Sequence, residues 1–137
     1  MIALTLIPMI AALGLQAADA VPAEEPEWVE RSALQYPWGA AENDVVARCS
    51  ITLDIRPDGS TTNMCGDCNT ASPHDHVKPG RYESSFVRAS LEAAREWRFK
   101  TTDNGFEAHN QTFDFNLAHL SPDVLASVET PVAPVCD

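Results

Sequence analysis

The stretch VARCSITLDIR (46–56), followed at once by Pro57-Asp58-Gly59, decides the fold. Cys49, Ile51, Leu53 and Ile55 alternate with Arg48, Ser50, Thr52 and Asp54. A period of two with one apolar face predicts a strand over 46–56, half buried against a core. Pro presets φ, Asp accepts a local bond and Gly takes positive φ, so 57–59 is read as a hairpin turn. A second strand, roughly 60–68, then returns antiparallel. A two-residue turn at Asp58-Gly59 places Leu53 opposite Met64 and Cys49 opposite Cys68. A one-residue slip would put Asn63 and Asp67 on the core face instead, which is costly.

Working outward, 69–80 (NTASPHDHVKPG) is a loop rich in turn formers. Residues 83–98 form the one convincing helix. Phe86, Ala89, Ser90, Ala93, Ala94 and Trp97 recur at three- and four-residue spacing as a stripe of small and aromatic side chains. Ser84 or Ser85 is its candidate cap, and Arg95 and Arg98 complement the dipole in its last turn. A turn at Asn104-Gly105 leads to a third strand over 109–117. There Gln111, Phe113, Phe115 and Leu117 share a face, and Thr112, Asp114 and Asn116 share the other. Ahead of the hairpin, Pro37 holds Tyr36 extended and starts a short helical turn over 38–44. The resulting class is α+β: a small antiparallel three-stranded sheet covered by one main helix, in the order β-β-α-β.

The 137 residues suffice for one domain, over 34–120. The chain is 45% hydrophobic with a formal net charge of −11, and only nine residues are Lys or Arg. Phosphate binding needs a basic stripe, so nucleic acid is excluded as a partner class. Residues 1–20 are apolar and end Ala18-Asp19-Ala20, the pattern of a secretory signal peptide; the rival reading is a short retained anchor. Both readings export the rest of the chain. Residues 21–33 are read as an acidic linker or irregular arm. Residues 121–137 are read as a flexible tail, because Pro122, Pro131 and Pro134 discourage regular structure.

In an oxidising compartment the four cysteines favour two disulfides. The hairpin register favours Cys49–Cys68, leaving Cys65 to point outward and take Cys136; the main rival is a local Cys65–Cys68 bridge. Cys65-x2-Cys68 also has the spacing of a redox site, but it ends a strand and does not open a helix. With His74 and His76 it has four zinc-type donors, although oxidation would remove the thiolates. Trp97-Arg98-Phe99 is read as core closing the helix face. His109, His119 and Glu24-Glu25-Glu27 are read as solvated surface. No Ser/His/Asp or Cys/His arrangement is evident, so no catalytic residue, cofactor or metal is assigned.

Several of these residues together resemble the C-terminal domain of TonB, the energy transducer of outer-membrane transport. They are Gln35-Tyr36-Pro37, the hairpin with Pro57-Asp58-Gly59, and the helix Phe86…Ala89…Ala93 running into Trp97-Arg98-Phe99. The Asn104-Gly105 turn before Phe113-Asp114-Phe115-Asn116-Leu117 completes the set. The resemblance covers roughly 33–118. It implies a periplasmic module that pairs an extended segment of an envelope or outer-membrane receptor protein beside its last strand. The implied edge is His109, Asn110, Gln111, Thr112, Phe113, Asp114, Phe115, Asn116 and Leu117, with Gln35, Tyr36 and Pro37 near the partner. The same edge allows a homodimer by edge pairing. Residues 21–33, at about 3.4 Å each, span only ~45 Å; this departs from the family's long spacer and puts energy transduction in doubt, while the fold and strand addition stand as expectations. The alternative is a structural or regulatory envelope protein with this fold and no energy-transducing role. An anchored form would sit in the inner membrane facing the periplasm.

Overall fold

The computed structural model describes residues 24–137, so the signal-peptide reading of 1–20 lies outside it. The fold is α+β. Elements run β1 (Trp28–Glu30), α1 (Trp38–Glu42), β2 (Val46–Ile55), β3 (Thr61–Ala71), α2 (Glu83–Glu96), β4 (Arg98–Phe99), β5 (Phe106–Phe115) and α3 (Pro122–Ala126). β2 is the centre of a three-stranded antiparallel sheet in the order β3-β2-β5. A second, two-stranded sheet pairs β1 with β4. The arm expected to be irregular therefore contributes a strand. Its anchor is Trp28, whose ring lies 4.3 Å from Phe99 and 5.0 Å from Trp97.

The alternation of β2 does what the sequence pattern requires. Cys49, Ile51, Leu53 and Ile55 are buried beneath α2, whose Phe86, Ala89, Ala93 and Ala94 pack down on them. Trp97 is fully buried and closes the helix face, and Phe99 beyond it is buried too. α2 lies over β3 and β2. Leu34 and Tyr36, just after the arm, fill the remaining core beside Phe113 and Phe115. Burying apolar area at about 25 cal/mol per Å² makes this layer the main source of stability.

Several boundaries differ from expectation. α2 ends at Glu96, and Arg98 opens β4 rather than closing the helix. Its N-cap is Tyr82, and neither Ser84 nor Ser85 caps it, because a 3-10 turn over Pro79–Tyr82 feeds the chain into the helix. β5 starts at Phe106 and stops at Phe115, so Asn116 and Leu117 lie past its end.

The hairpin pairs Cys49 with Cys68 as expected, but by another route. The loop holds three residues: Arg56 N–H donates to Ser60 O at 2.8 Å, and Gly59 takes φ +88°. That register is one residue away from the one pairing the cysteines. A bulge at Asn63, with φ +46°, restores it between Asp54 and Thr52. β5 carries a matching bulge opposite the same stretch, with Ala108 at φ +51°. Asp54 holds both: Oδ1 accepts from the Ala108 N–H at 2.8 Å, and Oδ2 from Asn63 Nδ2 at 3.1 Å.

The segment after 121 departs most from expectation. Pro122 sits in the first turn of α3 behind Ser121, whose hydroxyl accepts from the Asp123 N–H; a first-turn proline favours a helix. From there the chain runs over the sheet face opposite α2. Arg48 Nε donates to Leu125 O at 3.3 Å, and Asn69 Nδ2 to Glu129 O at 2.8 Å. Val128 is buried, Pro131 is buried, and Cys136 bonds Cys65. The second sheet face is thus covered in part: Asn110, Thr112 and Asp114 of β5 stay exposed, while along β2 Ser50 and Thr52 are buried. Both are satisfied by Asn110 Nδ2, 2.8 Å from Ser50 Oγ and 3.5 Å from Thr52 Oγ1.

Candidate partner-binding edge

Which backbone groups β5 leaves free follows from the disulfide beside it. Cys49 and Cys68 are directly opposed with Cα atoms 4.1 Å apart, the short spacing of a non-hydrogen-bonded pair. The N–H and C=O of Cys49 therefore turn away from β3, toward Phe113 of β5. Alternation then aims the main chain of His109, Gln111, Phe113 and Phe115 at β2. The N–H and C=O of Asn110, Thr112 and Asp114 point the other way. Among the described residues no strand pairs with that side of β5, and all three residues are exposed. This is an open edge of the kind that accepts another strand.

The edge is stiffly backed. On the α2 side, His109 lies 6.1 Å ring to ring from Phe99, Phe113 lies 6.2 Å from Trp97, and Phe115 lies 5.6 Å from Tyr36. On the far side the Asn110 amide is spent on Ser50, Ile51 O and Thr52. Its side chain braces the sheet, and only its main chain is available. The Ala108 bulge, held by Asp54, ends the regular edge on the N-terminal side.

The expected site residues divide. His109 to Phe115 lie on one continuous strand. Asn116 and Leu117 have left it, with the Asn116 side chain accepting from the Leu117 N–H. Gln35, Tyr36 and Pro37 do not line the edge as a set. Tyr36 is packed edge-on between Phe86 and Phe115 at 5.6 Å from each, and its hydroxyl donates to Val45 O. Burial, then the nearby charge of Asp44, pushes the phenol up to about 12. Pro37 caps α1, and Gln35 is exposed.

The four cysteines form Cys49–Cys68 and Cys65–Cys136, so the Cys65–Cys68 bridge, the redox pair and the thiolate zinc ligands are all ruled out in this state. Among the described residues no group of His, Cys, Asp or Glu is placed to hold a metal ion. His74, weighed in the sequence only as a zinc-type donor, and His119, expected as solvated surface, stay exposed but both clasp Asp44. Their Nε2 atoms lie 2.7 and 2.8 Å from its two oxygens. The partners lie 30 and 75 residues away, so no local spacing announces the cluster.

Those two hydrogen bonds hold the Asp44 carboxyl below its ordinary value of 3.8. The sign follows. A lowered folded value means that the clasp adds stability above the unfolded value and loses it as the pH falls below about 4. The acid limb of the stability curve is therefore expected to be steeper in the wild type than in Asp44→Asn. Urea midpoints at stepped pH check this, and parallel acid limbs would refute the assignment.

Among the described residues no helix is long and apolar enough to cross a membrane, and the two disulfides fit an oxidising, extracytoplasmic setting. No protein-family model matches the chain, and no curated protein is significantly similar to it.

Proposed function

We propose that this chain is an exported binding module of the TonB C-terminal type. It takes an extended segment of an envelope or outer-membrane receptor protein as an added strand beside β5, in the periplasm, and catalyses nothing. The observation that carries the reading is the row of main-chain groups at Asn110, Thr112 and Asp114, exposed and aimed away from β2. Up to six hydrogen bonds at about 1 kcal/mol each give roughly 6 kcal/mol before the cost of association. Main-chain pairing alone is therefore weak, and neighbouring side chains must supply specificity.

The alternation supplies a discriminating variant. Thr112→Pro deletes an N–H that faces outward, so the ladder to β2 survives while an added strand loses its central donor. Binding of a TonB-box peptide is expected to weaken at least tenfold, about 1.4 kcal/mol, with the amide spectrum elsewhere unchanged. Equal binding by the wild type and Thr112→Pro, or peptide-induced shifts confined to residues outside 109–115, would reject the reading. Concentration-dependent pairing of the same edge with a second copy, seen by sedimentation without peptide, would make the partner the chain itself.

A further inference from the structure

At the start of β5 the molecule is concave and acidic. An open groove of about 1200 Å³ lies between the arm and the turn joining β4 to β5. Glu24, Glu25, Glu27 and Asp103 line it, together with Lys100 and the first residue of β5, Phe106. Lys100 is engaged: its Nζ lies 3.5 Å from Glu27, and its N–H donates to Glu27 O at 2.8 Å. Glu24, Glu25 and Asp103 are left without a cation among the described residues. Glu107 and Asp114 are exposed on β5 itself, and the chain as a whole carries −11.

Resting on the strand-capture reading, we infer that the captured segment is basic at one end: an extended stretch that pairs with 110–114 and continues into lysines or arginines seated in the Glu24–Asp103 groove. Phe106 stands four positions before Asn110, so at up to about 3.4 Å per residue, and less across the Ala108 bulge, the groove opens within roughly 14 Å of the last paired position. A partner whose charges begin about four residues beyond its paired core is long enough to reach it. The weak main-chain pairing needs a second source of affinity, and the carboxylate-lined groove that begins at Phe106, the first residue of β5, provides it. The same field speeds encounter and disfavours acidic segments.

The test uses the full oxidised chain and three synthetic peptides. Each has six alternating threonine and valine residues, then a three-residue Gly-Ser spacer, then three charged residues. One places three lysines at the C-terminal end, matching an antiparallel strand. One reverses the order, matching a parallel strand. The third replaces the lysines by glutamates. One lysine peptide is expected to bind at least about tenfold more tightly than the glutamate peptide at low salt, shifting amides in both 100–106 and 109–115. The advantage should shrink with added salt and fall several-fold in the triple variant Glu24→Gln, Glu25→Gln, Asp103→Asn. Equal binding of lysine and glutamate peptides, with shifts over 109–115, overturns the basic-partner inference and leaves strand capture standing. Shifts from the lysine peptides confined to 100–106 also overturn it, because the groove then acts alone. If none of the peptides perturbs 109–115 while a TonB-box peptide does, the inference again falls by itself. If that peptide fails too, both readings fall.

Discussion

Replacing both Cys65 and Cys136 with serine is expected to lower stability by about 4 kcal/mol and to free the C-terminal segment from the sheet. The bridge joins residues 71 apart, and closing a loop of that length removes roughly this much chain entropy from the unfolded state. Changing both cysteines avoids a dangling thiol. Little else fastens the segment: the Arg48–Leu125 and Asn69–Glu129 hydrogen bonds, and burial of Val128 and Pro131. Release would open the sheet face at Thr52, whose carbonyl oxygen lies 3.3 Å from Cys136 Sγ. The Cys49–Cys68 bridge stays intact, so the hairpin and the core under α2 persist. The urea midpoint should fall by about 2 M at an m-value near 2 kcal/mol/M. Proteolysis should clip residues 127–137 before the domain unfolds. A midpoint within about 0.3 M of the wild type would show that the strap is ornamental.

The second large effect is expected at Gly59. A Cβ built there would stand 1.8 Å from the Phe99 carbonyl oxygen, at a φ of +88° that L side chains rarely adopt. The backbone strain alone costs about 1–2 kcal/mol. The overlap adds to it by forcing apart the Gly59 carbonyl and the Phe99 N–H, now bonded at 2.9 Å. β4 would have to retreat, carrying Phe99 from the core and loosening its contact with Trp28. Gly59→Ala should therefore cost at least about 3 kcal/mol. Gly39→Ala is the control: its Cβ would meet only Tyr82 Cε1 at an ordinary 3.6 Å, inside α1, so it should be neutral or slightly stabilising. Equal stabilities for the two variants would mean that the hairpin loop and β4 are not locked together.

The sequence carried much of this fold through periodicity. Alternation along β2 and the helical stripe of α2 are local patterns, and each buries the face it marks. The cysteine pairing was legible because a register error would bury Asn63 and Asp67. The loop holds one residue more than the Asp58-Gly59 turn requires, and the Asn63 bulge restores the register. Bulges left no trace in composition: Ala108 is an unremarkable residue whose positive φ is imposed by Asp54 from a neighbouring strand. The C-terminal segment misled because prolines break helices in their interior but start them at the first turn, as Pro122 does. The candidate edge was legible as a strand with a period of two. Which of its main-chain groups remain unpaired was not, since that depends on the spacing of two cysteines in the adjoining hairpin. The Asp44 clasp and the acidic groove join residues far apart in the chain, where pattern is silent.

The positions of the two bridges also order the events of maturation. Cys49 and Cys68 lie 19 residues apart within one hairpin, so their bond can close before the C-terminal segment has docked. Cys65 must wait for residue 136. A chain with only the hairpin bridge closed would carry Cys65 as an unpaired thiol, three positions from Cys68 and open to exchange with it. A thiol–disulfide isomerase would act at this stage, and arrested chains caught as mixed disulfides through Cys65 would be its signature.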